Sequence, residues 1–321
     1  MKVFVAGASG ALGVQLVPQL VSAGHDVVAM TKTASKQDDL RALGAQPVVA
    51  NALDPDAVAR VVGETEPEVI VHQLTALSGT LSARDMRYPD RSRAGILTNR
   101  LRTEATDHLL AAGCAVGARR FVAQSFAAFR FGRTGGPVHT EPDPLDPHDP
   151  PAALREAQAS YVYLEHAVTT IAWGEGLVLR YGNLYGPGTA ISSAPSAAMS
   201  GPIRKRRFPI VGGGGGVWSH VHVEDAAAAT VAAVERGGSG IYNIVDDEPA
   251  PVRAWLPALA SALEAKPPRR VPRWLGRLAA GEAATAMMTD ARGASNAKAK
   301  RELDWQLRYP TWRLGFIEGL G

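Results

Sequence analysis

Short apolar runs alternate with helix-like apolar patterns through the first half of the chain. Six runs rich in aliphatic side chains predict buried strands, at 3–6, 27–30, 46–50, 69–74, 120–124 and 177–181. Between these runs, apolar residues recur every three or four positions, which predicts helices that include 56–62, 97–115 and 152–173. Strands that alternate with helices form a parallel sheet with helices on both faces. The pattern therefore predicts an α/β fold with a doubly wound parallel sheet.

A glycine-rich turn directly follows the first predicted strand. In such a strand–turn–helix corner, the first glycine permits a tight turn and the second lets the backbone approach a pyrophosphate. The third glycine allows close helix–sheet packing, and the pyrophosphate lies at the positive end of the helix dipole. The alternative is a glycine turn without a ligand, but the position after an N-terminal strand favours a dinucleotide site. The residues assigned to this site are Gly7, Ser9, Gly10, Ala11, Leu12 and Gly13.

The alternating pattern breaks up after Gly182, where proline, glycine and serine become frequent. One further core-like unit follows, with a predicted helix at 223–234 and a predicted strand at 241–245. We therefore predict a Rossmann-type dinucleotide-binding domain and a smaller, mostly helical C-terminal substrate-binding lobe. The domain covers 1–182 and is completed by about 217–245, and the lobe covers 183–216 and 246–321.

Composition and charge narrow the classes of function. The net charge is only +3, which gives no ground for nucleic-acid binding. We interpret the basic run at 204–207 as a solvated loop, with an anion site as the alternative. The single cysteine, Cys114, excludes an internal disulfide, and its alanine-rich surroundings predict a buried structural thiol. No apolar run approaches the ~20 residues of a membrane span, and no signal peptide is predicted, so we expect a cytoplasmic protein without a membrane partner.

Five further motifs accompany the glycine turn. They are 71–76 (VHQLTA), 98–103 (TNRLRT), 120–125 (RFVAQS), 179–188 (LRYGNLYGPG) and 221–225 (VHVED). Together the motifs resemble the extended short-chain dehydrogenase/reductase superfamily, also called the NAD-dependent epimerase/dehydratase family, over nearly the whole chain. The resemblance implies further cofactor contacts at Asn51, Ala52, Leu74, Thr75, Ala76, Asn99 and Tyr181. Of these residues, Asn51 and Ala52 are expected to lie near the adenine.

The catalytic motif of that family is missing. Family members use a Ser or Thr together with Tyr-x-x-x-Lys, in which the lysine lowers the tyrosine pKa so that the phenol can exchange a proton. This chain has no lysine between Lys36 and Lys205. Alignment with the family places its tyrosine at Ala157 and its lysine at Tyr161. The proton-transfer apparatus is therefore absent or rebuilt.

Ser125 and Tyr161 are the candidate catalytic residues. In an alignment without gaps, the Ser or Thr of the family corresponds to Phe126, and a shift of one residue makes it correspond to Ser125. Tyr161 lies on the buried side of its predicted helix, where it is either a core aromatic or a relocated proton donor. Without a lysine its pKa is predicted to stay near ~10, which suits a hydrogen-bond donor. Other candidate donors are the loop at 126–133 and His72, which is alternatively a satisfied core histidine.

The substrate position also departs from the family pattern. Nucleotide-sugar members hold the diphosphate with an arginine whose matching position here is Trp218. An indole cannot replace a guanidinium at a diphosphate, but it can stack on an apolar or aromatic group. This argues against a nucleotide-sugar, although Trp218 could instead be a packing residue. The candidate substrate contacts are Phe126, Asn183 and Trp218.

The second predicted strand ends without an acidic residue. Members that prefer NAD carry an acidic side chain there, against the ribose hydroxyls. In this chain no acidic residue occurs before Asp38, whereas Thr31, Lys32 and Lys36 could hold a 2′-phosphate. The alternative is a pair of solvated loop lysines. We therefore predict NADP(H), with NAD(H) as the alternative cofactor.

These observations predict an NADP(H)-dependent oxidoreductase that acts on a small, fairly apolar carbonyl or alcohol metabolite. The alternatives are a sugar epimerase or dehydratase, and an inactive NADP(H)-binding redox sensor. The resemblance implies a homodimer that pairs the helices at 97–115 and 152–173 with their copies. No metal is predicted, because the spacing of His139 and His148, in a proline-rich loop over the site, does not suit one.

Overall fold

The computed structural model describes residues 1–77, 89–127, 136–143 and 151–321. Its centre is a seven-stranded sheet in which all neighbouring strands run parallel. Helices cover both faces of this sheet, because the strands present apolar side chains on both sides. The predicted α/β fold with a doubly wound parallel sheet is confirmed.

The strands are β1 (Lys2–Ala6), β2 (Asp26–Thr31), β3 (Gln46–Val49), β4 (Val69–His72), β5 (Arg120–Phe126), β6 (Val138–His139), β7 (Glu175–Tyr181), β8 (Asn183–Tyr185), β9 (Ile210–Val211), β10 (Val217–Trp218), β11 (His220–His222), β12 (Gly240–Ile244), β13 (Ala250–Pro251), β14 (Arg270–Val271) and β15 (Gly293–Ala294). The order across the main sheet is β3-β2-β1-β4-β5-β7-β12, and the other strands form two-stranded pairs.

The α-helices are α1 (Gly13–Ser22), α2 (Gln37–Ala42), α3 (Pro55–Thr65), α4 (Arg93–Arg102), α5 (Glu104–Ala115), α6 (Arg155–Thr169), α7 (Ser200–Arg204), α8 (Val223–Glu235), α9 (Val252–Ala262), α10 (Arg273–Thr289), α11 (Ala297–Leu303) and α12 (Trp312–Glu318). Several helices begin on recognisable caps. Asp54, for example, accepts hydrogen bonds from two backbone N–H groups at the start of α3, and Pro55 occupies its first turn.

The side-chain alternation of the central strands builds a core on each face of the sheet. On one face, Val3 and Val5 pack with α1 and α8. On the other face, Phe4 and Phe121 pack with α3, α5 and α6. This alternation holds α6 and α8 against opposite sides of β5 and β7.

A separate core lies in the C-terminal part of the chain, where Trp255 and Trp312 are fully buried. Most of its residues come from segments that the sequence assigns to the substrate lobe. Ala299, Leu303 and Trp305, from the same assigned lobe, pack instead in the core of α1 and α8. The C-terminal segment therefore contributes to both cores, and the domain boundaries stay a prediction.

Two expectations from the sequence are wrong in detail. The helix predicted at 97–115 is two helices, α4 and α5, because the chain bends at Thr103, whose hydroxyl donates to the carbonyl oxygen of Asn99. The predicted buried thiol of Cys114 is exposed. It lies in the last turn of α5, on the side opposite Leu109, which is the residue that α5 packs into the core.

No helix in the described segments is both long enough and apolar enough to cross a membrane. Within these same segments, no group of three or more His, Cys, Asp and Glu side chains is arranged to hold a metal ion. His148 lies outside the described residues. His139 lies in β6, where its Nδ1 is 3.4 Å from a carboxylate oxygen of Asp143.

Candidate active site

The glycine turn connects β1 to α1 at the carboxyl edge of the sheet. Gly7 has a φ of +95°, and a Cβ there would lie 2.7 Å from the carbonyl oxygen of Gln73. A Cβ at Gly13 would lie 2.4 Å from the carbonyl oxygen of Ala8. Only glycine fits these two positions without displacing backbone. The turn therefore has the close backbone packing that its sequence predicts.

The N-terminus of α1 is suited to an anion. The helix has no side-chain cap and no acidic residue in its first turn, so its first N–H groups have no side-chain acceptor. These N–H groups and the helix dipole favour a negatively charged group. The corner fits the pyrophosphate of a dinucleotide, which would contact the backbone of Gly10, Ala11 and Leu12.

The end of β2 is tied to the glycine turn. The Thr31 hydroxyl is buried, lies 3.1 Å from the Ser9 hydroxyl and accepts a hydrogen bond from the Thr33 N–H at 3.2 Å. Lys32 is exposed, and Lys36 is exposed and forms an ion pair with Asp39 at 3.0 Å. Thr31 therefore has a structural role in the turn, and the two lysines are at the surface where a phosphate could reach them.

The predicted adenine and nicotinamide contacts lie at the ends of β3 and β4. Asn51 is exposed, and its side-chain oxygen accepts a hydrogen bond from the Leu53 N–H. The Ala52 carbonyl oxygen accepts a hydrogen bond from His108. After β4, the Ala76 N–H donates to the Thr98 hydroxyl at 3.1 Å, which anchors the segment of Leu74, Thr75 and Ala76 to α4. The contact with His108 likewise anchors the segment after β3 to α5.

His72 and Tyr181 are core residues with satisfied polar atoms. His72 is fully buried, accepts from the Leu74 N–H and hydrogen-bonds the Leu101 carbonyl, and burial lowers its pKa to about 4. It is therefore a neutral core histidine. The Tyr181 hydroxyl accepts from Gln73 at 3.0 Å and hydrogen-bonds Thr230 at 2.7 Å, and burial raises its pKa. Its role as a cofactor contact stays a prediction.

Tyr161 is paired with an arginine that the sequence analysis did not single out. Arg102, at the end of α4, donates a hydrogen bond from Nη2 to the Tyr161 hydroxyl. Its guanidinium carbon also lies 3.6 Å from the centroid of the Tyr161 ring. Nη1 donates to Asn99 Oδ1 at 3.2 Å and to Ser160 Oγ at 3.4 Å. The available signal was the position of Arg102 one helical turn after Asn99.

Burial dominates the electrostatics of this pair. Burial raises the pKa of Tyr161, while the positive charge of Arg102 acts in the opposite direction and Glu165 adds to the rise. The prediction that this pKa stays near its ordinary value is therefore wrong, because it ignored desolvation. Tyr161 is a neutral phenol at neutral pH. This supports its use as a hydrogen-bond donor rather than a base.

Ser125 belongs to a different buried network. Its hydroxyl donates to Glu165 Oε1 at 2.7 Å. Arg180 donates to the same carboxylate from Nε at 2.7 Å and from Nη2 at 2.6 Å. All three side chains are buried, and they join α6 to β5 and β7. The Ser125 hydroxyl would have to leave Glu165 to reach a substrate, so its catalytic role stays a prediction.

The predicted substrate contacts are not all alike. Phe126, the last residue of β5, stacks on Tyr161 with ring centroids 6.3 Å apart. The Asn183 amide donates to the Ser219 carbonyl oxygen, and the Trp218 indole N–H donates to the Met287 carbonyl oxygen at 2.7 Å. Trp218 is buried and stacks near Trp255, which favours its packing role. Of the loop at 126–133, residues 128–133 lie outside the described residues.

The chain is similar to two reductases of small metabolites. It is 42% identical to the 3-diazoavenalumate denitrifying reductase of Streptomyces sp over 321 residues, which cover 100% of this chain and 99% of that protein. It is 28% identical over 267 residues to the 4-hydroxy-2-methyl-3-oxo-4-farnesyl-3,4-dihydroquinoline-1-oxide ketoreductase of Stigmatella aurantiaca, covering 81% of this chain and 72% of that protein. The chain is accordingly an enzyme of the oxidoreductase class.

The fold is shared with solved sugar-nucleotide enzymes at low sequence identity. The UDP-glucose 4-epimerase of Thermotoga maritima matches with a TM-score of 0.73 and 20% identity, over 100% of this chain and 97% of that one. The dTDP-glucose 4,6-dehydratase of Streptomyces venezuelae matches with a TM-score of 0.74 and 19% identity, over 100% and 96%. The model of the NAD dependent epimerase/dehydratase family matches residues 3–245. With the glycine corner, the sheet order and these matches together, the chain belongs to the NAD-dependent epimerase/dehydratase family, whose cofactor is NAD(P).

Proposed function

We propose that this protein is an NADP(H)-dependent reductase that delivers hydride to a small, largely apolar metabolite bearing a diazo group, with loss of N2. The observation that carries the proposal is the rebuilt catalytic helix face. Ala157 stands where the family has its tyrosine, and Tyr161, a neutral phenol bonded to Arg102, stands where the family has its lysine. The protein therefore lacks the usual device for moving a proton.

The chemistry of a diazo acceptor suits this missing device. Reduction of a ketone adds a hydride to carbon and a proton to oxygen, so it needs a proton donor. A diazo compound that has taken up a proton from the solvent is a diazonium ion, and the reduction of this ion needs only the hydride: a C–H bond forms, the C–N bond breaks and N2 leaves with the bonding electrons. The relative that acts on a diazo compound is also the one that is 42% identical over the full chain. Both facts support the same class of acceptor.

The role of the chain's own residues is mainly to hold the reactants. The cofactor, when bound, supplies the hydride. The glycine corner binds its pyrophosphate, and the ends of β4 and β5 lie at the carboxyl edge where ligands of such sheets bind. Phe126, which is half-buried at this edge and stacks on Tyr161, suits a flat, apolar substrate. Orientation of this kind contributes a large part of the rate in a two-reactant step.

The preference for NADPH rests on the end of β2. No acidic side chain follows the strand until Asp38, and Lys32 is exposed with no carboxylate partner among the described residues. Lys36 could contribute if the 2′-phosphate displaced Asp39, since an exposed ion pair of this kind is weak. A charge-assisted phosphate contact contributes about 1.5–3 kcal/mol. This corresponds to at least a tenfold preference for NADPH over NADH.

A ketone is the second candidate acceptor. It is favoured by the ketoreductase relative and by Tyr161, which as a neutral phenol could donate to a carbonyl oxygen. In that case hydride addition would place negative charge on the oxygen, and the phenol would hydrogen-bond to it. The two acceptors differ in what they release, because only the diazo compound yields N2.

A direct experiment separates the two. Purified protein is given NADPH or NADH with an aromatic acid that carries an isotopically labelled diazo group, and in parallel with matched aromatic ketones. We expect labelled N2 release and NADPH oxidation in equal amounts, with hydrogen from the nicotinamide on the product carbon. Gly7→Ala, which has no room for its Cβ, serves as the cofactor-binding control. Oxidation only with ketones would favour the second candidate, and none with either would refute the proposed function.

The homodimer predicted from the family resemblance has support on the surface of α4 and α6. Ile96, Val162 and Tyr163 expose 49%, 40% and 43% of their surface. Exposed apolar side chains on two neighbouring helices are suited to pairing with a second copy. We expect a dimer in light scattering and a monomer of 33.8 kDa for Val162→Glu. A monomeric wild-type protein at tens of micromolar would refute this prediction.

A further inference from the structure

We propose that the first two turns of α10, together with the basic segments beside them, form a docking face for an anionic lipid bilayer. The face has an apolar stripe on α10 and a group of cations from two segments of the chain. The stripe is Trp274, Leu275 and Leu278, and the cations are Arg204, Lys205, Arg206, Arg207, Lys266, Arg269, Arg270, Arg273 and Arg277. This docking does not depend on which acceptor the enzyme reduces.

The apolar stripe stands out from the surface of the protein. Trp274 and Leu278 lie one helical turn apart on the same side of α10 and expose 69% and 64% of their surface, and Leu275 exposes 36%. On the opposite side of the helix Gly276 is buried, and a Cβ there would lie 2.5 Å from the side chain of Val211 in β9. The helix is therefore held to the protein by one side and presents large apolar side chains on the other. Neighbouring apolar side chains with this exposure mark an interaction surface.

The two basic segments lie next to each other and next to this stripe. β14 pairs in parallel with β9, so the chain before β14 runs beside the basic run that precedes β9. Arg206 Nε donates to the carbonyl oxygen of Pro267 at 3.0 Å, which joins the two segments directly. α10 begins two residues after β14 and packs on β9. The cations and the apolar stripe therefore belong to one continuous surface.

The positive charge of this surface is largely uncompensated. The stretches 204–211 and 266–281 contain nine lysines and arginines and no acidic residue. Arg273 and Arg277 pair with carboxylates later in the chain, and within the described segments no carboxylate forms an ion pair with the other seven cations. The net charge of the whole chain is only +3, so the rest of the molecule is net negative. This asymmetry turns the docking face toward a negatively charged surface.

A lipid bilayer suits this face better than a nucleic acid or a folded partner. Helices that lie in the membrane interface combine tryptophan and leucine, which enter the boundary between headgroups and acyl chains, with lysines and arginines that reach the phosphates. Leucine side chains add nothing to the binding of nucleic-acid phosphates, and side chains that protrude need no shaped groove in a bilayer. The basic run at 204–207 is then an anion site rather than a solvated loop. The expectation of no membrane partner rests on the lack of a long apolar run, which a helix on the membrane surface does not need.

The first test measures cosedimentation of the purified full-length protein with vesicles. One set contains phosphatidylcholine and phosphatidylglycerol in equal amounts, and the other contains phosphatidylcholine alone. We expect binding to the anionic vesicles only, and weaker binding as the salt concentration rises. Trp274→Ala with Leu278→Ser should weaken binding by about tenfold or more, because the apolar contact is lost. Ile317→Ser, at an apolar side chain of α12 that is 79% exposed, is the matched control and should bind like the wild type. A wild-type protein that binds neither vesicle, or both equally, would overturn the proposal.

The cations are tested with Arg269→Gln combined with Arg270→Gln. Each lysine or arginine near an anionic bilayer contributes about fivefold to the affinity, so this double variant should bind the anionic vesicles about twentyfold more weakly. Arg60→Gln combined with Arg301→Gln removes the same charge from exposed ion pairs outside the docking face and is the control. An equal loss in both double variants would show that only the net charge matters, which would overturn the assignment of this face.

Tryptophan fluorescence reports where Trp274 lies when the protein is bound. Of the six tryptophans, Trp274 is exposed and the other five are buried or half-buried. With anionic vesicles we expect its emission to move to shorter wavelength and to be quenched by brominated acyl chains, and Trp274→Phe should lose both signals. Unchanged emission in the vesicle-bound protein would contradict insertion of the stripe. Binding to polyglutamate without binding to vesicles would overturn the lipid assignment in favour of an acidic protein partner.

Discussion

Two buried arginines face α6 within one helical turn of each other, and they differ in their partners. Arg180 forms two hydrogen bonds to the carboxylate of Glu165, so its charge is neutralised inside the protein. Arg102 forms its hydrogen bonds to neutral groups and stacks on Tyr161. The first arrangement locks α6 to the sheet. The second leaves Arg102 without a hydrogen-bonded carboxylate among the described residues, with only Asp90 near enough to act on its charge, and we predict a functional role for it.

The largest effect is expected from breaking the compensated site. Glu165→Gln keeps the shape of the side chain but removes the charge that neutralises Arg180. Loss of one partner of a buried ion pair costs about 3–5 kcal/mol. Urea unfolding should therefore show a large decrease in the free energy of unfolding. Glu104→Gln, at the exposed pair with Arg100, is the control and should change little. Equal effects of both variants would refute the structural role of the Glu165–Arg180 pair.

A buried histidine without a hydrogen bond to the described residues sharpens the comparison, because a histidine can lose its charge whereas an arginine cannot. Neither ring nitrogen of His220 has a hydrogen-bond partner in the described part of the chain, the ring packs against Trp255 and Phe316, and burial lowers the pKa of His220 to about 3. In the unfolded chain this histidine binds a proton below about pH 6.5, whereas in the native protein it stays neutral until about pH 3. The free energy of unfolding is therefore highest above pH 6.5 and decreases as the pH falls toward 3. Within this pH range we expect His220 to lower the free energy of unfolding by up to about 1.4 kcal/mol for each pH unit.

The variant His220→Leu should remove this contribution, since leucine is close in volume and does not titrate. His166→Gln, at an exposed position of α6, is the control and should leave the slope unchanged. The measurement is urea unfolding between pH 7 and pH 4. The same slope in His220→Leu and the wild type would show that His220 does not contribute, and that another group such as His72 causes the acid instability.

Ser125→Ala gives a smaller effect that also tests its catalytic assignment. The variant removes one hydrogen bond to the Glu165 carboxylate and leaves Arg180 in place. Loss of a hydrogen bond to a charged group costs about 1.5–3 kcal/mol. If Ser125 also contacts the substrate, kcat should fall by about tenfold or more while NADPH affinity is unchanged. Unchanged turnover in a destabilised variant would leave Ser125 with its structural role only.

The fold and the cofactor corner were predictable because their signals are local. A strand, three spaced glycines and the start of a helix follow one another within thirteen residues, and the apolar spacing of each element depends on its own neighbours. The boundary errors have the same origin. The bend at Thr103, for instance, interrupts a helical pattern that continues across it.

The rebuilt part of the site could be predicted only in part. The absent lysine is visible in the sequence, and the apolar spacing predicts Tyr161 on the buried face of its helix. Its partner Arg102 lies 59 positions earlier on a different helix, and nothing in a single sequence brings the two together. The prediction for the Tyr161 pKa is wrong for a related reason, because desolvation depends on every residue that packs around the ring.

The most direct test of this account measures stability and turnover together in Arg102→Met. If Arg102 is a functional charge, the variant removes an uncompensated cation, and the free energy of unfolding should be unchanged or raised by up to about 4 kcal/mol. At the same time NADPH-dependent turnover of a ketone, to whose oxygen the Tyr161 phenol would hydrogen-bond, should fall by about tenfold or more. A variant that loses stability to the extent expected of Glu165→Gln, with turnover per folded molecule preserved, would contradict the account.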